Sequence, residues 1–154
     1  MFRLIALVIA GLMAGAAAAQ DDSDRSAVEI WQDDPSTVFS ATEVEVKDFI
    51  WIARPIVLFA DNPNDPNFRQ QLDFLNDRSE SLAERDVVVI TDTDTEPMTE
   101  LRKRLRPRGF MLVIMGKDGE IELRKPTPWG GREITRTIDK MPLRQQEIDA
   151  ARGF

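Results

Sequence analysis

A chain of 154 residues with 42% hydrophobic side chains has the size and composition of one ordinary domain. Cysteine, histidine and tyrosine are all absent. That excludes a disulfide, a thiolate nucleophile, a Cys/His zinc site, a haem histidine and a Ser-His-Asp triad. With 20 basic and 27 acidic side chains the net charge is −7, which argues against nucleic-acid and acidic-membrane partners.

Met1-Phe2-Arg3 is a short basic start, Leu4 to Met13 is apolar, and Ala17-Ala18-Ala19 before Gln20 gives an A-x-A pattern. This is the layout of a cleavable secretory signal over residues 1–19, and its apolar stretch falls short of the about 20 residues that span a bilayer. No cysteine follows it, so no lipid anchor is expected. The expected address is the bacterial periplasm or the outside of the cell, with no membrane span after cleavage. Loss of Arg3 would leave 19 bases against 27 acids, a balance of −8.

Residues 20–42 are acid-rich and nearly aperiodic, and read as a flexible leader in which Val28, Ile30 and Trp31 could dock on the domain. The domain itself is expected over residues 43–154. Glu43 to Trp51 fits either a short helix or an extra strand. Ile56 to Ala60 is a continuous apolar run, as a strand buried on both faces requires. Asp65 is a helix N-cap with Pro66 at the first helical position, and Phe68, Leu72, Leu75 and Leu82 carry that helix to about Glu84.

Val87 to Ile90 is the next buried strand, followed by a helix near Pro97 to Arg106 and a strand over Phe110 to Met115. Lys117-Asp118-Gly119-Glu120 predicts a hairpin turn into a strand that begins at Ile121. Ile134, Ile138 and Met141 mark a further helix, interrupted at Pro142 before a short helical tail. The order β-α-β-α-β-β-α predicts an α/β fold in three layers. Its mixed sheet has about four strands, the last antiparallel, with helices on both faces.

That order, with the stretch Gly109 to Glu120, resembles the third strand and hairpin of the thioredoxin superfamily, over roughly residues 53–141. More narrowly, Arg54 to Ala60, Arg85 to Ile90, Phe110 to Gly119 and Met141 to Glu147 resemble a family of exported bacterial proteins that form a domain of unknown function. Related peroxiredoxin-like modules occur in secreted animal matrix proteins. The resemblance implies the fold and withholds the chemistry. Where thioredoxins carry C-x-x-C this chain has Pro63-Asn64-Asp65-Pro66, and their cis-proline position falls at about Met111. Thiol exchange and thiol-based peroxide reduction are therefore excluded, and fold alone carries no activity.

The loop Asp61 to Asp65 occupies the carboxyl end of a strand and a helix N-terminus, where α/β folds commonly bind ligands. Asp61 and Asp65 could hold a cation or act as a base. The plainer reading gives Asp65 to a helix cap and Asn62 to a turn. Asp92, Asp94 and Glu96 alternate along Thr91 to Glu96. They fail the calcium-loop pattern, because Pro97 and Lys103 stand where Gly and Glu are required. They read instead as a solvated loop leading into the next helix.

Residues 20–100 hold 20 acids and 6 bases, whereas residues 101–154 hold 13 bases and 7 acids. The densest basic run is Arg102, Lys103, Arg104, Arg106 and Arg108, able to grip phosphate, carboxylate or an acidic partner. Arg102 and Arg106 share one helix face, with Leu101 and Leu105 expected toward the core. An ion pair from Arg108 to Asp61 or Asp65 is a specific expectation. Trp129, in Pro126 to Gly131, reads equally as an exposed contact or as a lid on the sheet edge.

The functional expectation is a non-catalytic exported module that binds a protein or envelope component. Its candidate residues are Asp61, Asn62, Asp65, Arg106, Arg108 and Trp129, with no metal and no cofactor. The alternative is a small-ligand or divalent-cation binder, or a carboxylate-based enzyme, built on the Asp61–Asp65 loop.

Overall fold

The computed structural model describes residues 25–153. The signal expected over residues 1–19 lies outside them. Helix α1 (Ala27–Asp33) and strand β1 (Val38–Ser40) come first. A single 3-10 turn (Val46–Phe49) leads into β2 (Arg54–Phe59), then α2 (Pro66–Asn76) and α3 (Ser79–Ala83). The chain continues through β3 (Val87–Asp92), α4 (Glu100–Leu105), β4 (Met111–Met115) and β5 (Ile121–Lys125), and closes with α5 (Gly131–Asp139) and α6 (Pro142–Ala151).

The strands lie in the order β1-β3-β2-β4-β5. β3 is parallel to both β1 and β2, while β4 is antiparallel to β2 and to β5. Alternation along the strands sends side chains to two faces. Ile56, Leu58, Val87, Val89, Leu112 and Ile114 face α2, α3 and α5. Val57, Phe59, Val88, Ile90, Val113 and Met115 face α1, the 3-10 turn and α4. The three-layer arrangement with helices on both faces is as the pattern predicts. Among the described residues no helix is long and apolar enough to cross a membrane.

Three expectations need correction. Residues 25–42, expected as part of a flexible leader, are folded onto the domain. Trp31 is buried against Phe49, and its indole N–H donates to the Val87 carbonyl at 2.9 Å. β1 adds a fifth strand where about four were expected. Both elements are too short, at seven and three residues, for periodicity to emerge. One local signal does mark α1. Ser26 and Glu29 form a reciprocal capping box, the S-x-x-E pattern.

The helix expected from Pro66 to Glu84 is two helices, broken at Asp77–Arg78. Asn76, Asp77 and Ser79 compete for backbone hydrogen bonds and favour helix ends over interiors. The Glu43 to Trp51 ambiguity resolves as the 3-10 turn, with Val46 and Phe49 buried.

Candidate functional site

The carboxyl ends of β2 and β3 open onto a hollow of about 590 Å³, lined by Asp61, Thr95, Met98, Arg102, Lys103, Arg106 and Pro107. Beneath it lies a buried ion pair. Arg102 Nε and Nη2 reach Asp92 Oδ1 at 3.0 and 2.9 Å, with both side chains almost wholly buried. Nη2 also donates to the Ala60 carbonyl at 2.7 Å and the Asp92 carbonyl at 2.9 Å. The guanidinium stands 5.5 Å from the Phe59 ring centroid. Thr99 Oγ1 donates to Asp92 Oδ2 at 2.5 Å while accepting from Arg102 N, so one residue caps α4 and steadies the carboxylate.

Two readings change here. Asp92 belongs to the core, not to a solvated loop. Arg102 points inward with Leu105, while Leu101, half-buried, packs against the core as expected. The reason is the buried carboxylate ten residues upstream. It holds a charge inside that composition alone would send to solvent.

Asp61 is exposed, and its nearest cation is Arg102 Nη1 at 3.6 Å. The expected pairing with Arg108 is not formed. Asp65 caps α2, accepting from Asn67 N at 2.8 Å and Phe68 N at 3.1 Å. Asn62 Oδ1 accepts from Asn64 N at 2.9 Å in a local turn. Of the expected residues, Asp61 and Arg106 line the hollow, while Asn62, Asp65, Arg108 and Trp129 do not.

Arg106 ends α4 in the left-handed conformation at φ 49°, which turns the chain sharply out of the helix. Arg106 and Arg108 are exposed, and among the described residues neither side chain has an ion-pair partner. Lys103 is paired with Glu100 on the same helix at 2.6 Å. The hollow thus presents positive charge over a shallow floor that includes Met98 and Pro107, with one carboxylate at its edge. Such a site can hold an anionic group by charge and by the paired N–H donors of arginine. Among the described residues no three acidic side chains converge as a metal site would need.

Trp129 folds back onto the α2/α5 face of the sheet. Its backbone N–H donates to Gln71 Oε1 at 2.7 Å and its carbonyl accepts from Gln71 Nε2 at 2.9 Å. Lys125 Nζ lies 4.5 Å from the ring centroid. Of the two readings, the lid on the sheet is the one found.

A second cluster sits at the opposite end of the strands. Arg54, wholly buried, donates to the Arg85 carbonyl at 2.8 Å and reaches Glu147 of α6 at 2.9 Å. Lys117 reaches Asp86 at 2.7 Å and Glu147 at 3.0 Å. Burial pushes the Glu147 carboxyl up, but Arg54 and Lys117 outweigh it and hold that group below its usual range. Arg85 forks onto Asp139 at 2.8 and 2.9 Å, and that bond raises its guanidinium above the ordinary value. α6 has no buried residue of its own, and Glu147 ties it to Arg54 and Lys117, while the Arg85–Asp139 fork holds the end of α5. All four segments that carried the narrower family resemblance contribute to this cluster or adjoin it, which reads as a structural clasp.

The arrangement of strands and helices is that of a thioredoxin-like α/β protein. The solution structure of reduced desulfothioredoxin from Desulfovibrio vulgaris Hildenborough matches over 68% of this chain and 96% of its own, at 20% identity and TM-score 0.51. A chloroplastic thioredoxin z crystal structure matches over 68% and 93%, at 20% identity and TM-score 0.52. These likenesses establish the fold alone. More particularly, residues 45–147 match the family described as "Domain of unknown function (DUF4174)", and the chain belongs to that family. No curated protein matches the sequence significantly.

Proposed function

We propose that this protein is a non-catalytic, exported thioredoxin-like module that binds an acidic group of a protein or envelope component at the Asp61–Arg106 hollow. The observation that carries this reading is the pair of exposed guanidinium groups, Arg106 and Arg108, at and beside that hollow, neither with an ion-pair partner among the described residues. A chain with no cysteine brings no thiol chemistry to the fold, and Asp65 and Asn62 are already engaged in a cap and a turn. Export follows from the Met1–Ala19 pattern. It is tested by fractionating the host and reading the mature N-terminus, with Gln20 expected first and a full-length cytoplasmic chain contradicting it.

Binding is tested with a fluorescent hexaglutamate peptide at low salt. The protein is expected to bind it, and Arg106→Glu with Arg108→Glu to weaken binding at least tenfold at an unchanged melting temperature. Reversing Arg132 and Arg136 on α5 is the control and should leave binding in place. Equal losses from both pairs would reduce the effect to non-specific charge and refute the site. A stabilising shift with divalent cations that disappears on Asp61→Ala would instead favour the cation-binding alternative.

A further inference from the structure

Trp51 occupies the left-handed backbone region, at φ 65°. Bulky L-residues avoid this region, and Trp51 persists there only because its surroundings fix it. Its N–H donates to the Lys117 carbonyl at 2.7 Å, and the N–H groups of Ile52 and Ala53 both donate to the carbonyl of wholly buried Phe49 at 2.9 Å. The turn so enforced leaves the indole 67% exposed, flanked by Ile50 at 37% and Ile52 at 36%. Trp51 thus projects from a hydrogen-bonded turn just before β2, with Ile50 and Ile52 partly covered at its base.

The charge around the tip is mostly negative. Asp48 is exposed on the preceding turn, and Asp118 and Glu120 on the hairpin that holds Trp51. Of the nearby cations, Lys47 is offset by Glu45 at 2.7 Å and Lys117 by Asp86 and Glu147, while Arg104, on the Gly119 carbonyl at 3.5 Å, keeps its charge.

At the other end of β2 the hollow shows the complementary pattern. There Arg106, with no ion-pair partner among the described residues, stands beside Met98, 51% exposed, and Pro107, while Lys103 is offset by Glu100 and Asp61 lies at the edge. The hollow, of about 590 Å³ and open to solvent, has room for an indole side chain. We infer that a second copy of this chain occupies the hollow, the acid-ringed Trp51 tip of one copy entering the basic hollow of the next. Tip and hollow are different surfaces at opposite ends of one strand, so the contact is heterologous and each added copy leaves one of each free. This rests on the proposed reading of the hollow as a site for an acidic partner, and names that partner.

The test is light scattering across a concentration series with two variants. Trp51→Gly removes the ring and relaxes the backbone, leaving the hollow intact. Arg106→Glu with Arg108→Glu spoils the hollow and leaves the tip. The parent is expected to grow in average mass with concentration, and to fall back to monomer in high salt. Each variant alone should stay monomeric, while their mixture should form a 1:1 dimer and nothing larger. A parent that stays monomeric, a Trp51→Gly variant that assembles like the parent, or a mixture that stays monomeric overturns the inference. A parent that binds zwitterionic vesicles through Trp51 while remaining monomeric also overturns it. Hexaglutamate binding by Trp51→Gly separates the two failures: if it persists while copies do not associate, only the self-association fails. If it is lost from the parent too, the reading of the hollow fails.

Discussion

Replacing Asp92 with alanine would leave the Arg102 guanidinium buried beneath the hollow without its carboxylate. Two charged contacts of 2.9 and 3.0 Å disappear, and Thr99 loses its acceptor. Removing one partner of a buried ion pair generally costs about 3–5 kcal/mol. Here Arg102 keeps two backbone carbonyls, at 2.7 and 2.9 Å, and Asp61 at 3.6 Å, so the lower end of that range applies, about 3 kcal/mol. For a domain of this size that lowers the melting temperature by roughly 10 °C. Urea denaturation followed by circular dichroism should show an earlier midpoint at an unchanged slope.

The double variant Asp92→Val with Arg102→Met, which removes both charges at a similar total volume, should recover most of the loss. A cost below about 1 kcal/mol for Asp92→Ala, or a double variant no more stable than the single one, would refute the view that this pair is a coupled, buried unit.

Three further predictions follow from the same geometry. Asp65→Ala removes the acceptor for two α2 N–H groups and should cost about 1 kcal/mol, with Asp65→Asn close to neutral, both read from urea midpoints. Trp31→Phe leaves the buried Val87 carbonyl without its donor and should cost about 1–2 kcal/mol in the same assay, whereas a dispensable leader would give no change. Glu147 has a folded-state pKa below its unfolded value, so its stabilisation is present above about pH 4.3 and is lost as the pH falls below that toward the folded pKa. The gap in stability between the parent and Glu147→Gln should therefore be full at pH 7 and shrink below pH 4.3, and a constant gap would argue against the clasp on α6.

The inner strands were legible because burial on both faces demands unbroken apolar runs such as Ile56 to Ala60 and Leu112 to Met115. The hairpin was legible from Asp118-Gly119, where Gly119 takes φ 80°. β1 was not, because three residues with one buried carry no period. Asp65 as a cap was readable from Asp-Pro, since both roles are local. The partner of Asp61 was not, because the choice between Arg102 and Arg108 depends on which face of α4 a buried Asp92 attracts. The left-handed turn at Trp51 had no local signal either. Its geometry is imposed by the Lys117 carbonyl, 66 residues onward in the chain.

The most direct measurement is an NMR titration of the protein with the hexaglutamate peptide. The account predicts shifts concentrated at Thr95, Met98, Arg102, Lys103, Arg106 and Arg108, abolished by reversing Arg106 and Arg108. Shifts scattered over every basic residue, or centred on α5 and Trp129, would contradict it.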